Sequence, residues 1–407
     1  MTTSQAGAAP DEAGRREDAM PEAPTAPPAA APSGRRRHLY EVDILRILTF
    51  VCVIAVHTVS HAIDASDQLV QNGFLILVHF TREVFFALTA FVLVYSFLTK
   101  PRPLREFWPK RFLLVIVPYV TWSLVYDALA WIAKPDGVTL LDWLAAFWHD
   151  LYTGGAWYHL YFLLVTMQVY LLLPVVVWLI RKTRGHHWTL LGVSLAVELL
   201  LTGSYQYFPA ATDWFNSYSR IEFWSYQFLI IAGAVAADHV DGFLAWVRGH
   251  RPLIGLLTVA GAVLSIAVYV INLGIGQSAV DAVQALQPVV IVWSIPIALA
   301  FLALGTKWAD RRVATSRMAR LVDTASDRSF GIFLAHPFLI WILLLAGDGW
   351  LKHAIPSPWL SVVLYVLVVI GTVVLVEILR RTPASLALTG RPFHGLHPGA
   401  KKKAPTA

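Results

Sequence analysis

Long apolar segments alternate with short polar ones along most of the chain. A helix needs about 20 consecutive, mostly apolar residues to cross the hydrocarbon core of a bilayer. Ten segments meet this requirement, and the stretches between them are too short to hold a separate domain. The pattern therefore predicts an all-α polytopic membrane protein with about ten transmembrane helices in one bundle. The predicted spans cover residues 42–62, 74–98, 111–132, 157–180, 187–203, 223–240, 251–272, 286–306, 329–347 and 359–380.

The lysines and arginines in the loops and tails, counted together with those at the very ends of the spans, are distributed unevenly. One set of alternating loops, together with the two tails, carries 26 of them, whereas the opposite loops carry only Lys134, Arg220 and Lys352. Basic residues in short loops accumulate on the cytoplasmic side of a membrane. We therefore expect both the N- and the C-terminus to be cytoplasmic, and the regular alternation supports ten spans.

Composition agrees with a membrane protein and argues against other classes. Of the 407 residues, 57% are hydrophobic and 14% are charged, whereas about 25% of a typical soluble protein is charged. The basic loops explain the net charge of +6, so we expect no nucleic-acid partner. Cys52 is the single cysteine, which excludes an intramolecular disulfide. Neither a CxxC nor an HExxH motif indicates a metal site.

The two ends of the chain differ from its middle. Residues 1–38 are rich in Ala and Pro and lack the hydrophobic segment of a signal peptide, so we predict a disordered cytoplasmic tail. Residues 39–385 form the predicted transmembrane domain, and residues 386–407 form a basic cytoplasmic tail.

The first predicted span carries three ionisable residues, Asp43, Arg46 and His57. Charged residues inside a span are costly and are functional candidates for that reason. Because eleven residues advance an α-helix by about three full turns, Arg46 and His57 lie on one face, with His57 ~16 Å deeper. Asp43 is placed to pair with Arg46. A neutral imidazole at mid-bilayer can take a proton or attack an acyl carbon. The alternative is a histidine that hydrogen-bonds between packed helices.

The second predicted span carries Arg82 at a depth similar to that of His57. A buried arginine needs an acceptor. Its neighbour Glu83 points about 100° away around the helix, which makes it a poor partner. We therefore expect Arg82 either to pair with a carboxylate of another helix, such as Glu198 or Glu222, or to face a water-filled cavity.

The last two predicted spans carry His336 and Glu377. Pro337 frees the carbonyl four residues back and bends the helix, which opens room for a polar site beside His336. Glu377 lies three residues before Arg380, and we interpret the two as an interfacial ion pair.

Five motifs occur in an order that is typical of one family of membrane enzymes. They are Glu41–Arg46 followed by His57, which matches Arg-x10-His; Phe85–Phe91, which stands where Phe-Phe-x-x-Ser-Gly-Phe is usual; Lys110-Arg111 with Pro118–Tyr126; Trp157–Leu163 with Tyr170–Pro174; and Ser329–Pro337. Through these motifs, residues 38–385 resemble the acyltransferase 3 family of integral membrane acyltransferases, which modify cell-surface glycans, and especially its exopolysaccharide O-acyltransferase branch. The chain departs from the family pattern at Thr89 and Ala90, which replace the usual Ser-Gly.

The resemblance implies an O-acyltransferase of the cell (plasma or inner) membrane. It implies acyl-CoA as the cytoplasmic donor, with acetyl-CoA as the first choice, a glycan hydroxyl as the acceptor, and no metal. Proteins of glycan synthesis or export would be its partners.

The resemblance also implies roles for individual residues. His57 is the implied catalytic residue, either as a general base or as a transient acyl carrier, and Arg46 and Asp43 belong to the same motif. We expect the basic residues at the cytoplasmic face to bind the CoA phosphates. The expected substrate-binding residues are Arg82, Thr89, Arg111 and His336.

Two other interpretations of the pattern remain. Ten helices with a polar interior also fit a polysaccharide or lipid-linked sugar exporter, although the sequence shows neither an internal repeat nor paired broken helices. A membrane sensor or scaffold is the third interpretation, and the ionisable residues inside the spans argue against it.

Overall fold

A computed structural model describes residues 38–62, 67–132, 139–212, 218–347 and 350–393. Residues 1–37 of the predicted tail, and residues 394–407 at the other end, lie outside this part. The described chain is helical and contains no β-strand. Its α-helices are α1 (Tyr40–His61), α2 (Gln68–Val78), α3 (Thr81–Thr99), α4 (Leu104–Ile132), α5 (Leu140–Thr153), α6 (Tyr161–Lys182), α7 (His187–Tyr207), α8 (Gln227–Asp238), α9 (Val240–Gly249), α10 (Arg251–Gly274), α11 (Pro288–Arg311), α12 (Arg317–Gly347), α13 (Trp350–Ala354), α14 (Trp359–Leu379) and α15 (Ser385–Thr389).

The number of spans agrees with the sequence pattern. Among the described residues, nine helical segments are long and apolar enough to cross a membrane. A tenth candidate is the pair formed by Phe223–Asp238 and α9, which is bent by 97°. The prediction of an all-α multi-pass membrane protein is therefore confirmed. The span predicted at 74–98 begins earlier, because α2 and α3 together form one span, and the span predicted at 223–240 is the bent pair.

Helix α1 packs against five others, α2, α3, α11, α12 and α14. Its close approach to α11 requires Gly305, since a Cβ at that position would lie 2.1 Å from the carbonyl oxygen of Glu41. Helices α3 and α8 meet in the same way, with Gly233 against the carbonyl oxygen of Ala87. Small residues permit such backbone contacts between membrane helices. The glycine that permits close packing against α3 therefore lies on α8. It contacts α3 at Ala87, one turn before Ala90.

Charged side chains join the helices at one end of the bundle. We call this the basic end; α1 begins there, and α11 and α14 end there. Arg248 donates to Glu41 at 2.8 Å and to Asp310 at 3.0 Å, and Arg251 donates to Asp310 at 2.9 Å. Glu41 is only 1% exposed. The network therefore links α1 to α9 through the buried carboxylate of Glu41, and α9 and α10 to α11 through the more exposed carboxylate of Asp310.

Helix α5 differs from the spans. It has 14 residues, none of which is buried. The Thr139 hydroxyl accepts from the Asp142 N–H, and the Asp142 carboxylate accepts from the Thr139 N–H, which completes a capping box. The helix ends at Gly154, whose φ of 71° is in the left-handed region. Its exposed apolar side chains, which include Trp148 and Tyr152, suit a helix that lies at the membrane surface.

Candidate active site

A cavity of about 1080 Å³ opens between the end of α1, the junction of α2 and α3, and the start of α6. It lies at the far end of α1 from the basic end, and we call it the histidine cavity. Its wall includes the side chains of His57, His61, His79, Arg82, Tyr158, His159, Tyr161, Tyr205, Gln206, Arg220, Gln277 and Asp281. Imidazole, hydroxyl, amide and guanidinium groups therefore face one space.

His57 lies in the wall of this cavity, between two aromatic rings. Its ring centroid is 4.6 Å from that of Tyr158 and 5.3 Å from that of His336, on which it stacks. Arg46 lies eleven residues before His57 on α1. It contacts Ser326 of α12, the helix that also carries His336. Arg46 and His57 thus share one face of α1, as the helical spacing predicts.

The tautomer of His336 is set by the proline that follows it. Pro337 has no N–H and cannot donate to the carbonyl of Phe333. The His336 Nδ1 donates to that carbonyl at 2.8 Å instead, because a carbonyl can only accept. In the neutral ring, Nε2 then carries the lone pair, and this buried atom has no hydrogen-bond partner within the described chain. His336 therefore holds a proton acceptor beside the stacked ring of His57.

Arg82 is held by its own neighbour. Its Nε and one terminal nitrogen donate to the same oxygen of Glu83 at 3.1 and 3.0 Å, and its guanidinium lies 5.2 Å from the centroid of the Tyr226 ring. The prediction that Glu83 is a poor partner is wrong, because the arginine side chain is long enough to reach the carboxylate of the next residue. Glu198 instead accepts from the Phe228 N–H at 2.6 Å.

Asp43 and Arg46 lie in a separate, smaller cavity of about 300 Å³ at the basic end. Asp43 accepts from the Ser326 hydroxyl at 2.7 Å and lies 2.6 Å from the His38 ring nitrogen. Arg46 donates to Ser326 at 3.2 Å and lies 3.8 Å from the Asp43 carboxylate. The predicted Asp43–Arg46 pair is therefore present, and it docks α1 onto α12.

Four phenylalanines separate the two cavities, and we call them the aromatic floor: Phe50, Phe85, Phe162 and Phe333. Three of them line the histidine cavity. Phe50 packs on Phe85 and Phe333 with centroid distances of 5.2 and 5.8 Å, and Phe85 packs on Phe162 at 4.3 Å. The floor closes the histidine cavity on the side that faces Arg46.

Two of the expected substrate-binding residues lie away from these cavities. Thr89 is two turns beyond Arg82 on α3, and it is absent from the lining of both cavities. Arg111 donates to the Ser96 hydroxyl at 3.4 Å and lies over the ring of Phe107. The structure therefore brings together His57, Arg82 and His336, and separately Asp43 and Arg46.

Sequence reasoning did not single out Tyr158 and His159. Both lie in the segment between α5 and α6 and line the histidine cavity. The Tyr158 hydroxyl is protonated at neutral pH, as in any ordinary tyrosine, and can donate a hydrogen bond. The signal was available, since both residues belong to the Trp157–Leu163 motif.

One group of described residues has the side chains and spacing for a metal ion: His187, Asp238 and His239. It lies where α7 begins and α8 ends, and none of the three lines the histidine cavity. The His187 Nδ1 and the His239 Nε2 are 2.8 Å apart, the distance of a hydrogen bond that shares one proton.

A family model described as an acyltransferase domain matches residues 39–378. No curated protein and no solved structure matches the chain. The matched range runs from the start of α1 almost to the end of α14, and it contains both cavities except for His38 and Arg391. The chain therefore belongs to the acyltransferase 3 family of membrane proteins.

Proposed function

We propose that the protein is a membrane O-acyltransferase that moves an acyl group, most simply acetyl, from acyl-CoA to a hydroxyl of a cell-surface or lipid-linked glycan. In this proposal the basic end faces the cytoplasm and the histidine cavity opens on the outer face of the cell membrane. The observation that carries the proposal is the position of His57, beside His336 and Tyr158, in a cavity of about 1080 Å³.

The site has the groups that acyl transfer needs. The acceptor hydroxyl attacks the thioester carbonyl and gives its proton to an imidazole nitrogen of His57, after which the CoA thiolate leaves and takes a proton. In the second route, His57 itself attacks the thioester and expels the CoA thiolate, which takes a proton. The acceptor hydroxyl then attacks the acyl-imidazole, takes the acyl group and gives its proton to the released imidazole. The Tyr158 hydroxyl and the Arg82 guanidinium are two donors in the wall of the cavity that could stabilise the developing oxyanion.

The donor approaches from the basic end. Arg46, Lys110 and Arg111 supply positive charge there for the CoA phosphates. Because the aromatic floor lies between Arg46 and His57, the acyl arm must displace at least one phenylalanine to reach the histidine. The aromatic floor thereby also separates the donor from water on the acceptor side.

The proposal is tested in inverted membrane vesicles that contain the protein and the lipid-linked glycans of its host. Labelled acetyl-CoA is added outside, and label in the glycan is measured. We expect incorporation with the native protein and a loss of at least about 100-fold with His57→Ala. His250→Ala, at an exposed histidine of the basic end, is the matched control and should retain activity.

Two results would contradict the proposal. Full incorporation by His57→Ala, at equal amounts of folded protein, would remove His57 from the chemistry. Movement of glycan across the membrane without incorporated label would instead favour an exporter.

A further inference from the structure

A further cavity, which we call the second cavity, adjoins the histidine cavity. It has a volume of about 670 Å³ and lies between the end of α4, helix α5 and the segment that precedes α6. His61 and Tyr158 line both this space and the histidine cavity. Because the two spaces share these side chains, we expect a chain molecule that extends past Tyr158 to reach from one cavity into the other and to place one of its units beside His57.

Aromatic rings and carboxylates line the second cavity: Trp131, Trp143, Trp157, Asp127, Asp142 and Asp150. The indole N–H of Trp143 donates to the carbonyl of Asp127 at 3.3 Å, and the ring lies 6.0 Å from that of Trp131. The hydrogen bond fixes the ring of Trp143 as a platform. Flat rings stack on the C–H faces of sugar rings, and ionised carboxylates only accept, so they bind sugar hydroxyls.

The charge of the second cavity limits which sugars it takes. Its lining contains three Asp and His61 but neither Lys nor Arg. Hydrogen bonds from Thr139 lower the pKa of Asp142, which keeps that carboxylate ionised at neutral pH. A uronic acid or a phosphorylated sugar would meet like charge here, whereas a neutral sugar or one with a protonated amine would not.

We propose that the second cavity is a glycan subsite that binds a neutral or amine-bearing sugar unit of the acceptor, remote from the unit that is acylated. This inference rests on the proposed function only for the identity of the acceptor. The acceptor is then an oligosaccharide or polysaccharide long enough to fill both cavities, and Trp143 and Asp150 determine specificity without touching the reacting atoms.

Binding is measured first, without any transfer. The full chain with His57→Ala, in detergent, is titrated by calorimetry with three probes: cellohexaose, a fully deacetylated chitosan hexamer and a galacturonic acid hexamer. We expect binding of the neutral or the amine-bearing hexamer and at least about tenfold weaker binding of the acidic one. Adding Trp143→Ala should weaken that binding by about tenfold or more.

A matched tryptophan serves as the control. Trp148 lies on the same helix, is 63% exposed and is absent from the lining of the cavity, so Trp148→Ala should leave binding unchanged. Asp150→Asn keeps the shape of the side chain and should weaken binding of the chitosan hexamer in particular. It replaces Trp143→Ala in the test if that variant does not fold.

The outcomes separate this inference from the proposed function. Equal binding by the Trp143 and Trp148 variants, preference for the acidic hexamer, or binding of none of the three would overturn the subsite, even if His57 is required for transfer. Trp143-dependent binding of a neutral or amine-bearing hexamer would support it, even if labelled acetyl-CoA gave no product.

Discussion

The two ends of the bundle differ in how their polar side chains are paired. At the basic end, arginines and carboxylates meet as complete pairs, such as Arg248 with Glu41 and Asp310. In the histidine cavity, Arg82 is likewise paired with Glu83, but His57 faces rings, and the Nε2 of His336 has no partner within the described chain. A buried charge is tolerated only when it is paired, whereas an imidazole can be buried in its neutral form. The difference therefore separates residues that hold helices together from residues that are free to react.

The largest expected effect is on stability at the basic end. Arg248→Ala leaves the buried carboxylate of Glu41 without this ion pair, which should lower the free energy of unfolding by about 3 kcal/mol. Denaturation in detergent measures the change. Transfer per folded molecule should stay within about twofold of the native value. A large loss of transfer with native stability would show that the two ends are not separate in function.

The next largest expected effect is on kcat, through residues beside the histidine cavity. His336→Ala removes the ring that stacks on His57 and should lower kcat by about 100-fold, or roughly 2.7 kcal/mol. Pro337→Ala is a subtler companion, because it restores a backbone N–H that competes with His336 Nδ1 for the Phe333 carbonyl. It should lower kcat by about tenfold without lowering the melting temperature. Unchanged kcat in both variants would make His336 a packing residue like those of the basic end.

Substitution of Gly305 tests the packing of α11 against α1, next to the ion pairs of the basic end. Gly305→Ala places a Cβ 2.1 Å from the Glu41 carbonyl oxygen, and the overpacking should cost about 1–3 kcal/mol. Gly255→Ala on α10 has no atom within 4 Å of the new Cβ and should raise stability by roughly 0.5–1 kcal/mol. Thermal unfolding of both variants measures the contrast. Equal changes would mean that the approach of α1 and α11 is looser than the structure has it.

Much of this comparison could be predicted from hydropathy and helical period. The spans follow from apolar length, the shared face of Arg46 and His57 from the helical spacing, and the freed carbonyl beside His336 from the chemistry of proline. These features are local, so sequence alone determines them.

The features that could not be predicted depend on tertiary contacts. The pairing of Arg82 with Glu83 depends on a side-chain rotamer rather than on helical spacing. Tyr158 enters the cavity because the segment between α5 and α6 folds into the bundle, and hydropathy carries no information about that path. The 97° bend after Asp238 is likewise invisible to a count of apolar residues.

The smallest effect concerns two neighbouring arginines at the basic end. The sequence favours an ion pair of Glu377 with Arg380, but Arg381 pairs with Glu377 at 2.8 Å, and Arg380 pairs with Asp327 at 3.0 Å. Arg381 is 57% exposed and Arg380 only 4%.

Because water and salt screen the exposed pair, Arg381→Gln should lower the free energy of unfolding by only about 0.3–0.5 kcal/mol, and less at high salt. Arg380→Gln should cost more, since the Arg380 side chain that donates to Asp327 and to the Pro392 carbonyl is buried. Denaturation at low and high salt distinguishes the two, and an equal, salt-sensitive loss in both variants would restore the pairing that the sequence favours.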